Sequence, residues 1–190
     1  MKKQRVWLVV LSCIILLQTN VFCKQNMLQQ AWDALKGITD PRTVEIYFSP
    51  YDDCVQPWTE TIVKCSSYVY VSCFGITNKE ISDALCVKAR TGVRVIVCTD
   101  KMQAGNKTAK LREIELRAAG VEYVIKKIQV LEHNKMMFGR SIDGKQYAIT
   151  GSYNISGNAQ SQDNNLQLFQ DTYITNKVKA AIERIYNRDK

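Results

Sequence analysis

Apolar and polar residues follow two different spacings along this chain. Short runs of strand composition, rich in β-branched and aromatic residues, occur at residues 43–48, 68–74, 93–98 and 121–125. The run at 68–74 is apolar on both faces, which predicts a buried central strand. The segments between these runs carry apolar residues at helical spacing. They predict three helices, at residues 55–66, from the capping box 77–80 to Thr91-Gly92, and at residues 108–119 with Leu111, Ile114 and Ala118 on the apolar side.

The second half of the chain contains a cluster of strands. Apolar runs follow Lys135 and begin again at Tyr147, and the Asp143-Gly144 pair between them is a strong hairpin-turn signal. Residues 166–169 and 172–174 are predicted as a strand and a connector, and residues 176–186 as a closing helix. No internal repeat is visible. The pattern predicts an α/β fold in which a mixed β-sheet is flanked by helices on both faces.

The first 23 residues have the composition of a targeting segment. Lys2, Lys3 and Arg5 precede an apolar run of twelve residues, which suits a signal peptide better than a bilayer span. We therefore expect export to the periplasm, outer membrane or medium, with an uncleaved membrane anchor as the alternative. Residues 24–42 are predicted to be a helical lead-in, and residues 43–190 the main domain.

Composition and charge are those of one globular domain with a basic surface. The formal charge is +8, and removing the three cations of the leader leaves +5, which suits a polyanionic substrate or an anionic membrane. Five lysines are predicted to lie on a solvated face, with the alternative that they follow a nucleic-acid backbone: Lys101, Lys107, Lys110, Lys126 and Lys127.

Five of the seven cysteines lie beyond the leader, and their spacing does not resemble a zinc site. Cys73 and Cys98 lie in apolar runs and are predicted to be buried thiols. A disulfide from Cys54 to Cys65 or Cys86 is one arrangement that export would permit.

The candidate chemistry centres on His133, the only histidine in the sequence, and on Lys135 two residues later. Alternate residues of a strand face the same way, so both side chains are expected to project from one strand face. An imidazole beside an ammonium suits attack on a phosphodiester, because the ring nitrogen attacks phosphorus and the cation stabilises the oxygens. Ser152 and Asn154 are also two residues apart and are predicted to add hydrogen bonds to the same phosphate.

These residues resemble the signature of the phospholipase D superfamily, His-x-Lys-x4-Asp followed by Gly-Ser-x-x-Asn or a close variant. His133-Asn134-Lys135 matches the first part, and 151–154 (GSYN) matches the second. The resemblance covers residues 43–186 and is closest to small single-motif bacterial endonucleases and their mitochondrial relatives. It implies a phosphohistidine intermediate, no metal or cofactor, and a homodimer in which two copies of the motif face each other.

The sequence departs from this signature at two positions. Arg140 stands where the family has Asp, and the nearest acid is Asp143, for which a hairpin-turn role is favoured over an orienting one. Asn164 stands where the family has the Glu that orients the imidazole, with Asp163 beside it. Asp143, Asp163 and Asn164 are therefore predicted as orienting or structural residues rather than reacting ones.

Three functions follow as hypotheses. The first is a metal-independent endonuclease that cleaves DNA or RNA at a homodimeric active site. The second is a phospholipase D-type hydrolase of glycerophospholipids, cardiolipin included, which requires contact with a phospholipid membrane. The third is a nucleic-acid- or lipid-binding protein of the same fold that has lost turnover, a hypothesis motivated by Arg140.

Overall fold

The computed structural model describes residues 44–127 and 129–190. The predicted signal peptide or anchor (1–23) and the helical lead-in (24–42) lie outside these residues. The described residues form seven strands and four α-helices. The strands are β1 Val44–Ser49, β2 Tyr68–Cys73, β3 Arg94–Thr99, β4 Glu122–Ile125, β5 Lys135–Arg140, β6 Gln146–Gly151 and β7 Asn164–Phe169. The helices are α1 Val55–Lys64, α2 Lys79–Arg90, α3 Lys107–Ala118 and α4 Thr172–Asp189.

All seven strands form one mixed sheet in the order β1-β7-β6-β5-β2-β3-β4. β2, β3 and β4 run parallel, as expected for strands joined by the crossover helices α2 and α3. β5 lies antiparallel to β2, and β5, β6, β7 and β1 continue as antiparallel neighbours. The parallel half therefore meets the antiparallel half between β2 and β5, and the strand that begins at Lys135 runs along this boundary.

Helices cover both faces of the sheet, which confirms the predicted architecture. Alternate residues of β2 divide the core, because Val69 and Val71 face α1 to α3 whereas Tyr70 faces α4. Trp58 of α1 is fully buried on the first face, and Ile182 of α4 is buried on the second.

Two helix predictions need correction. α3 buries Arg112 and Glu113 and leaves Leu111 and Ile114 exposed, so its predicted apolar side faces solvent. The buried charges are tolerated because each has an ion pair within the helix, with Glu115 for Arg112 and with Lys110 and Arg117 for Glu113.

The closing helix begins earlier than predicted. α4 spans Thr172–Asp189, so residues 172–174 are helical and not the connector that was predicted. The side chain of Asp171 accepts a hydrogen bond from the backbone N–H of Ile174 and caps the helix.

All five cysteines of the described residues are free and buried. The proposed disulfide from Cys54 to Cys65 or Cys86 is therefore absent, whereas the buried thiols predicted at Cys73 and Cys98 are confirmed. Burial raises the pKa of Cys65 to about 12, so this thiol stays protonated at neutral pH.

Within residues 44–127 and 129–190, every helix is too short or too polar to cross a membrane.

We predict that Gly139→Ala in β5 destabilises the protein by about 1–3 kcal/mol, the usual cost of overpacking a core. A Cβ there would lie 2.2 Å from the Sγ of the buried Cys65. Urea unfolding measures the change. Gly105→Ala is the control, because a Cβ at Gly105 meets no atom within 4 Å.

The same measurement in a Cys65→Ala background tests the cause. We expect a smaller penalty for Gly139→Ala there, because the clashing sulfur is gone. An equal penalty in both backgrounds would contradict the steric explanation.

Candidate active site

His133 lies at the end of the sheet where the parallel strands β2 and β3 finish. The ladder between β2 and β5 stops at the pair Cys73 and Lys135, so His133 has no strand partner. The expectation that His133 and Lys135 stand together on one strand is therefore wrong: Lys135 opens β5, and His133 precedes it. The His133 ring contacts the Phe74 ring edge-on, with 5.5 Å between centroids.

Side chains hold the backbone on both sides of His133. The N–H of Glu132 donates to the Asp100 carboxylate at 2.6 Å, and the N–H of Asn134 donates to the Glu132 carboxylate at 3.2 Å. The Lys135 ammonium donates to the carbonyl of His133 itself at 2.6 Å. Three successive residues are thus fixed, although none of them lies in a strand or helix.

Asp100 connects this segment to the sheet. It follows β3, its backbone N–H donates to the carbonyl of Phe74 after β2, and its carboxylate also caps a short 3₁₀ helix at Met102. The carboxyl ends of two parallel strands therefore determine where Glu132 and His133 lie.

Glu132 and Lys126 form a buried ion pair. Their residues are 1% and 4% exposed, and the Lys126 Nζ lies 3.7 Å from the Glu132 carboxylate. Lys126 was predicted to lie on a solvated face, and this is wrong; Lys101, Lys107, Lys110 and Lys127 are exposed as predicted. A buried carboxylate is tolerated when it is paired and hydrogen-bonded, and Glu132 has both Lys126 and the amide of Asn134.

Lys135 is 5% exposed, and its burial lowers the pKa of the ammonium, with Cys73 and Glu132 acting in the opposite direction. An ammonium has three donors, and the His133 carbonyl takes one of them. The ammonium therefore lies against the backbone of His133.

The 151–154 segment follows β6 and faces His133. Gly151 has φ 144°, and a Cβ there would lie 2.4 Å from the carbonyl oxygen of Asn165. Only glycine permits this close approach. The Ser152 hydroxyl accepts from the N–H of Asn165 at 3.0 Å, and the Asn165 side chain accepts from the N–H of Ser152 at 2.8 Å. Tyr153 is buried between Ser152 and the half-buried Asn154.

His133 and Asn154 line one cavity of about 550 Å³. Its walls are the loops that follow β2, β3 and β6, and its other lining residues are Phe74, Gly75, Thr77, Gln103, Asn106, Thr108, Ser156, Gly157, Asn158 and Gln162. Among these described residues, His133 is the only one with an ionisable side chain. The structure thus brings together the two motif residues His133 and Asn154, with Lys135 behind the backbone of the first.

Residues 58–186 match the protein family described as "Cardiolipin synthase, PLD-like domain". The chain belongs to this phospholipase D-like family. Among curated proteins, phospholipase D of Rickettsia typhi is 28% identical over 131 residues, which are 68% of this chain and 61% of the relative. Phospholipase D of Rickettsia conorii is 28% identical over 120 residues, which are 63% of this chain and 57% of the relative. The chain therefore spans about three fifths of the length of these relatives.

Two solved structures share the fold. Nuc of Salmonella typhimurium, a phospholipase D family member, has a TM-score of 0.70 at 15% identity and covers 77% of this chain and 95% of its own. NucT of Helicobacter pylori has a TM-score of 0.66 at 16% identity and covers 76% of this chain and 95% of its own. The phospholipase D-like fold is thus shown over most of the chain.

The other predicted site residues of this phospholipase D-like domain lie elsewhere. Ser152, Asp163 and Asn164 line a second cavity, on the other side of the 151–154 segment. Asn164 donates its side-chain amide to the carbonyl oxygens of Ala159 and Gln162, so it stabilises a loop. The predicted phosphate contact of Ser152 stays a prediction.

Arg140 and Asp143 lie at the opposite end of β5 from Lys135. The Asp143 carboxylate accepts hydrogen bonds from the Ser141 hydroxyl and the Lys145 N–H, which lower its pKa and stabilise the turn between β5 and β6. This position supports the structural role that the sequence favours for Asp143. The carbonyl of Arg140 accepts from Ser66 and Ser67 at the same end of the sheet.

Sequence reasoning missed Asp100, Glu132 and Lys126. An acid directly before the motif histidine and an acid directly after a buried parallel strand were signals that the sequence offered. The lysine had no such signal, because its partner is identified only by the fold.

Within residues 44–127 and 129–190, no three side chains of His, Cys, Asp or Glu come close enough together to hold a metal ion.

We predict that Lys126→Met lowers the free energy of unfolding by about 3–5 kcal/mol, because it leaves the buried Glu132 carboxylate without its cation. Glu132→Gln keeps the oxygen that accepts from Asn134 and removes the charge. We expect the double variant to recover part of the loss. Urea unfolding of both single variants and the double variant measures the coupling, and strictly additive effects would contradict a direct ion pair.

Proposed function

We propose that this protein is a metal-independent phosphodiesterase, and that its substrate is nucleic acid, cleaved internally. The observation that carries the proposal is the cavity in which His133 and Asn154, from segments on either side of the β5–β6 hairpin, are brought together. A nucleophile, an amide donor and a nearby ammonium are the groups that phosphoryl transfer through a histidine requires.

The proposed reaction has two steps. In the first, a ring nitrogen of His133 forms a bond to phosphorus while the bond from phosphorus to the leaving oxygen breaks, and a second imidazole donates a proton to that oxygen. In the second, water attacks phosphorus, the nitrogen–phosphorus bond breaks, and the second imidazole takes a proton from the water. Lys135 and Asn154 stabilise the charge on the non-bridging oxygens in both steps.

The second imidazole has to come from another copy, since the sequence contains one histidine. We therefore propose a twofold homodimer with the two His133 cavities facing each other. The charge of the transition state agrees with this, because apart from His133 the described lining residues offer uncharged side chains, and Lys135 behind them is the one ammonium that each copy contributes in this proposal. A second copy adds a second Lys135.

Nucleic acid is favoured over lipid by the composition of the cavity wall and by charge. The wall is mostly amide and hydroxyl side chains, which hydrogen-bond phosphate and sugar oxygens, and the chain beyond residue 23 carries +5.

Phospholipid is the second candidate substrate. It is favoured by the family description, which names cardiolipin synthase, and by the Rickettsia relatives named phospholipase D. The sequence of residues 1–23 supports export, or anchoring at a membrane, for either substrate.

We predict that the full chain hydrolyses nucleic acid in excess EDTA and that His133→Ala reduces the rate by on the order of 10³-fold or more, as expected for loss of a nucleophile. Single-stranded DNA, duplex DNA, RNA and phospholipid vesicles are offered side by side. Ile142→Ala, in the turn at the far end of β5, is the control that retains activity. Hydrolysis of vesicles alone would replace the nuclease by a phospholipase.

Folded protein that hydrolyses none of the four substrates would contradict turnover altogether. It would favour the hypothesis of a binding protein, which binding assays with the same substrates then test.

We predict that His133→Ala subunits inhibit wild-type subunits. If both imidazoles serve one reaction, a mixed dimer is inactive, and activity falls with the square of the wild-type fraction. Co-expression of differently tagged chains at several ratios, followed by an activity assay on the pooled protein, measures this dependence. A linear dependence would show that one chain holds a complete site.

A further inference from the structure

A second cavity of about 640 Å³ lies beside the one that contains His133. We call it the aromatic cavity, because Phe48 and Tyr51 line it together with Ser152, Asp163 and Asn165. The two aromatic residues are strongly exposed, at 53% and 88%, so their rings are accessible to a ligand. The reaction proposed above uses neither of them.

The aromatic cavity and the His133 cavity share a wall. Ser152 lines the first and Asn154 the second, and two residues of extended chain span at most about 7 Å. Likewise Asp163 lines the first and Gln162 the second. A polymer whose phosphate lies at His133 therefore reaches the aromatic cavity with its neighbouring unit.

The loop that carries Tyr51 is fixed to this wall. The side chain of Gln160 accepts from the N–H of Cys54 at 3.1 Å and from the hydroxyl of Tyr153 at 3.3 Å, and it donates to the carbonyl of Asp52 at 2.8 Å. The Ser49 hydroxyl donates to the carbonyl of Gln162 at 2.7 Å. The Gln160 side chain thus connects the loop that carries Tyr51 to Tyr153, the residue between Ser152 and Asn154.

The chemistry of the aromatic cavity differs from that of the His133 cavity. Asp52 and Asp163 contribute carboxylates, which repel a phosphate but accept hydrogen bonds from the amino groups of bases. Aromatic rings bind the faces of bases, and they do so for unpaired bases, since paired bases are stacked within a duplex. Base recognition beside phosphate chemistry is therefore the function that fits these residues.

We propose that the aromatic cavity binds an unpaired nucleobase next to the scissile phosphate, so that the substrate is a single-stranded nucleic acid. This inference rests on the proposed nuclease function and specifies its substrate class. Phe48 and Tyr51 supply the stacking surface, Asp163 and Asn165 face the edge of the base, and the adjacent phosphate lies at His133.

The test compares an oligonucleotide as a single strand with the same strand in a duplex, using the full chain. We expect the single strand to be cleaved faster. Phe48→Ala with Tyr51→Ala is expected to lower kcat/KM for the single strand by about 5- to 150-fold, the loss that corresponds to removing one stacked base. Phe48→Leu keeps apolar area without a ring and is expected to lower it as well.

Two controls match the exposed aromatic residues. Ile142→Ala removes a side chain that is 88% exposed, as Tyr51 is, and Tyr173→Ala removes an exposed aromatic ring near the start of α4. Neither is expected to change kcat/KM. Urea unfolding of each variant checks that the fold is retained.

A strand with one abasic position next to a single cleavable phosphate isolates the base. The wild type is expected to cleave it more slowly than the intact strand, and the aromatic variants are expected to show no further loss. Equal cleavage of single strand and duplex, with aromatic variants as active as the wild type on both, would overturn the inference and leave the nuclease intact. Hydrolysis of phospholipid vesicles alone would overturn both.

Discussion

The placement of His133 depends on two buried carboxylates. Asp100 and Glu132 hold the backbone before and after the histidine, and both lie where the parallel half of the sheet ends. Burying a carboxylate is costly unless it is paired and hydrogen-bonded, so each of these two carboxylates needs buried partners of its own. Lys126 neutralises Glu132, and Asp100 is satisfied by two backbone N–H groups. The geometry of the candidate site is therefore a consequence of how charge is buried beneath it.

The two residues that depart from the family signature both have structural contacts away from the His133 ring. Arg140 lies at the far end of β5, where its carbonyl accepts hydrogen bonds from the chain after α1. Asn164 uses its amide to hold the loop around Ala159. Neither position has a carboxylate that orients the imidazole within this chain. Orientation comes instead from the fixed backbone of residues 132–134 and from the Phe74 ring, while Lys135 holds the histidine carbonyl.

The features that the sequence predicted are those that depend on the local pattern of residues. Apolar runs located the strands, and the His-x-Lys and Gly-Ser-x-Asn spacing located His133 and Asn154. Both motifs reflect local requirements: the backbone of Asn165 comes close to Gly151, and Lys135 begins the strand that pairs with β2. What sequence missed depends on which charged side chains the fold buries and pairs. The burial of Lys126 follows from Glu132, six residues away across a loop, and the buried face of α3 follows from ion pairs that reverse its expected polarity.

The 151–154 segment borders two cavities that differ in chemistry. Asn154 faces a cavity of amides and hydroxyls, whereas Ser152, held by two hydrogen bonds to Asn165, faces aromatic rings and carboxylates. Two residues this far apart would share one side of a strand, but the chain leaves β6 and bends at Ser152, so one short motif borders two chemically different surfaces. The proposed reaction requires only the first surface. The second is formed by a loop that Gln160 fixes to Tyr153, and its composition therefore bears on which phosphodiester is selected rather than on how the bond is broken.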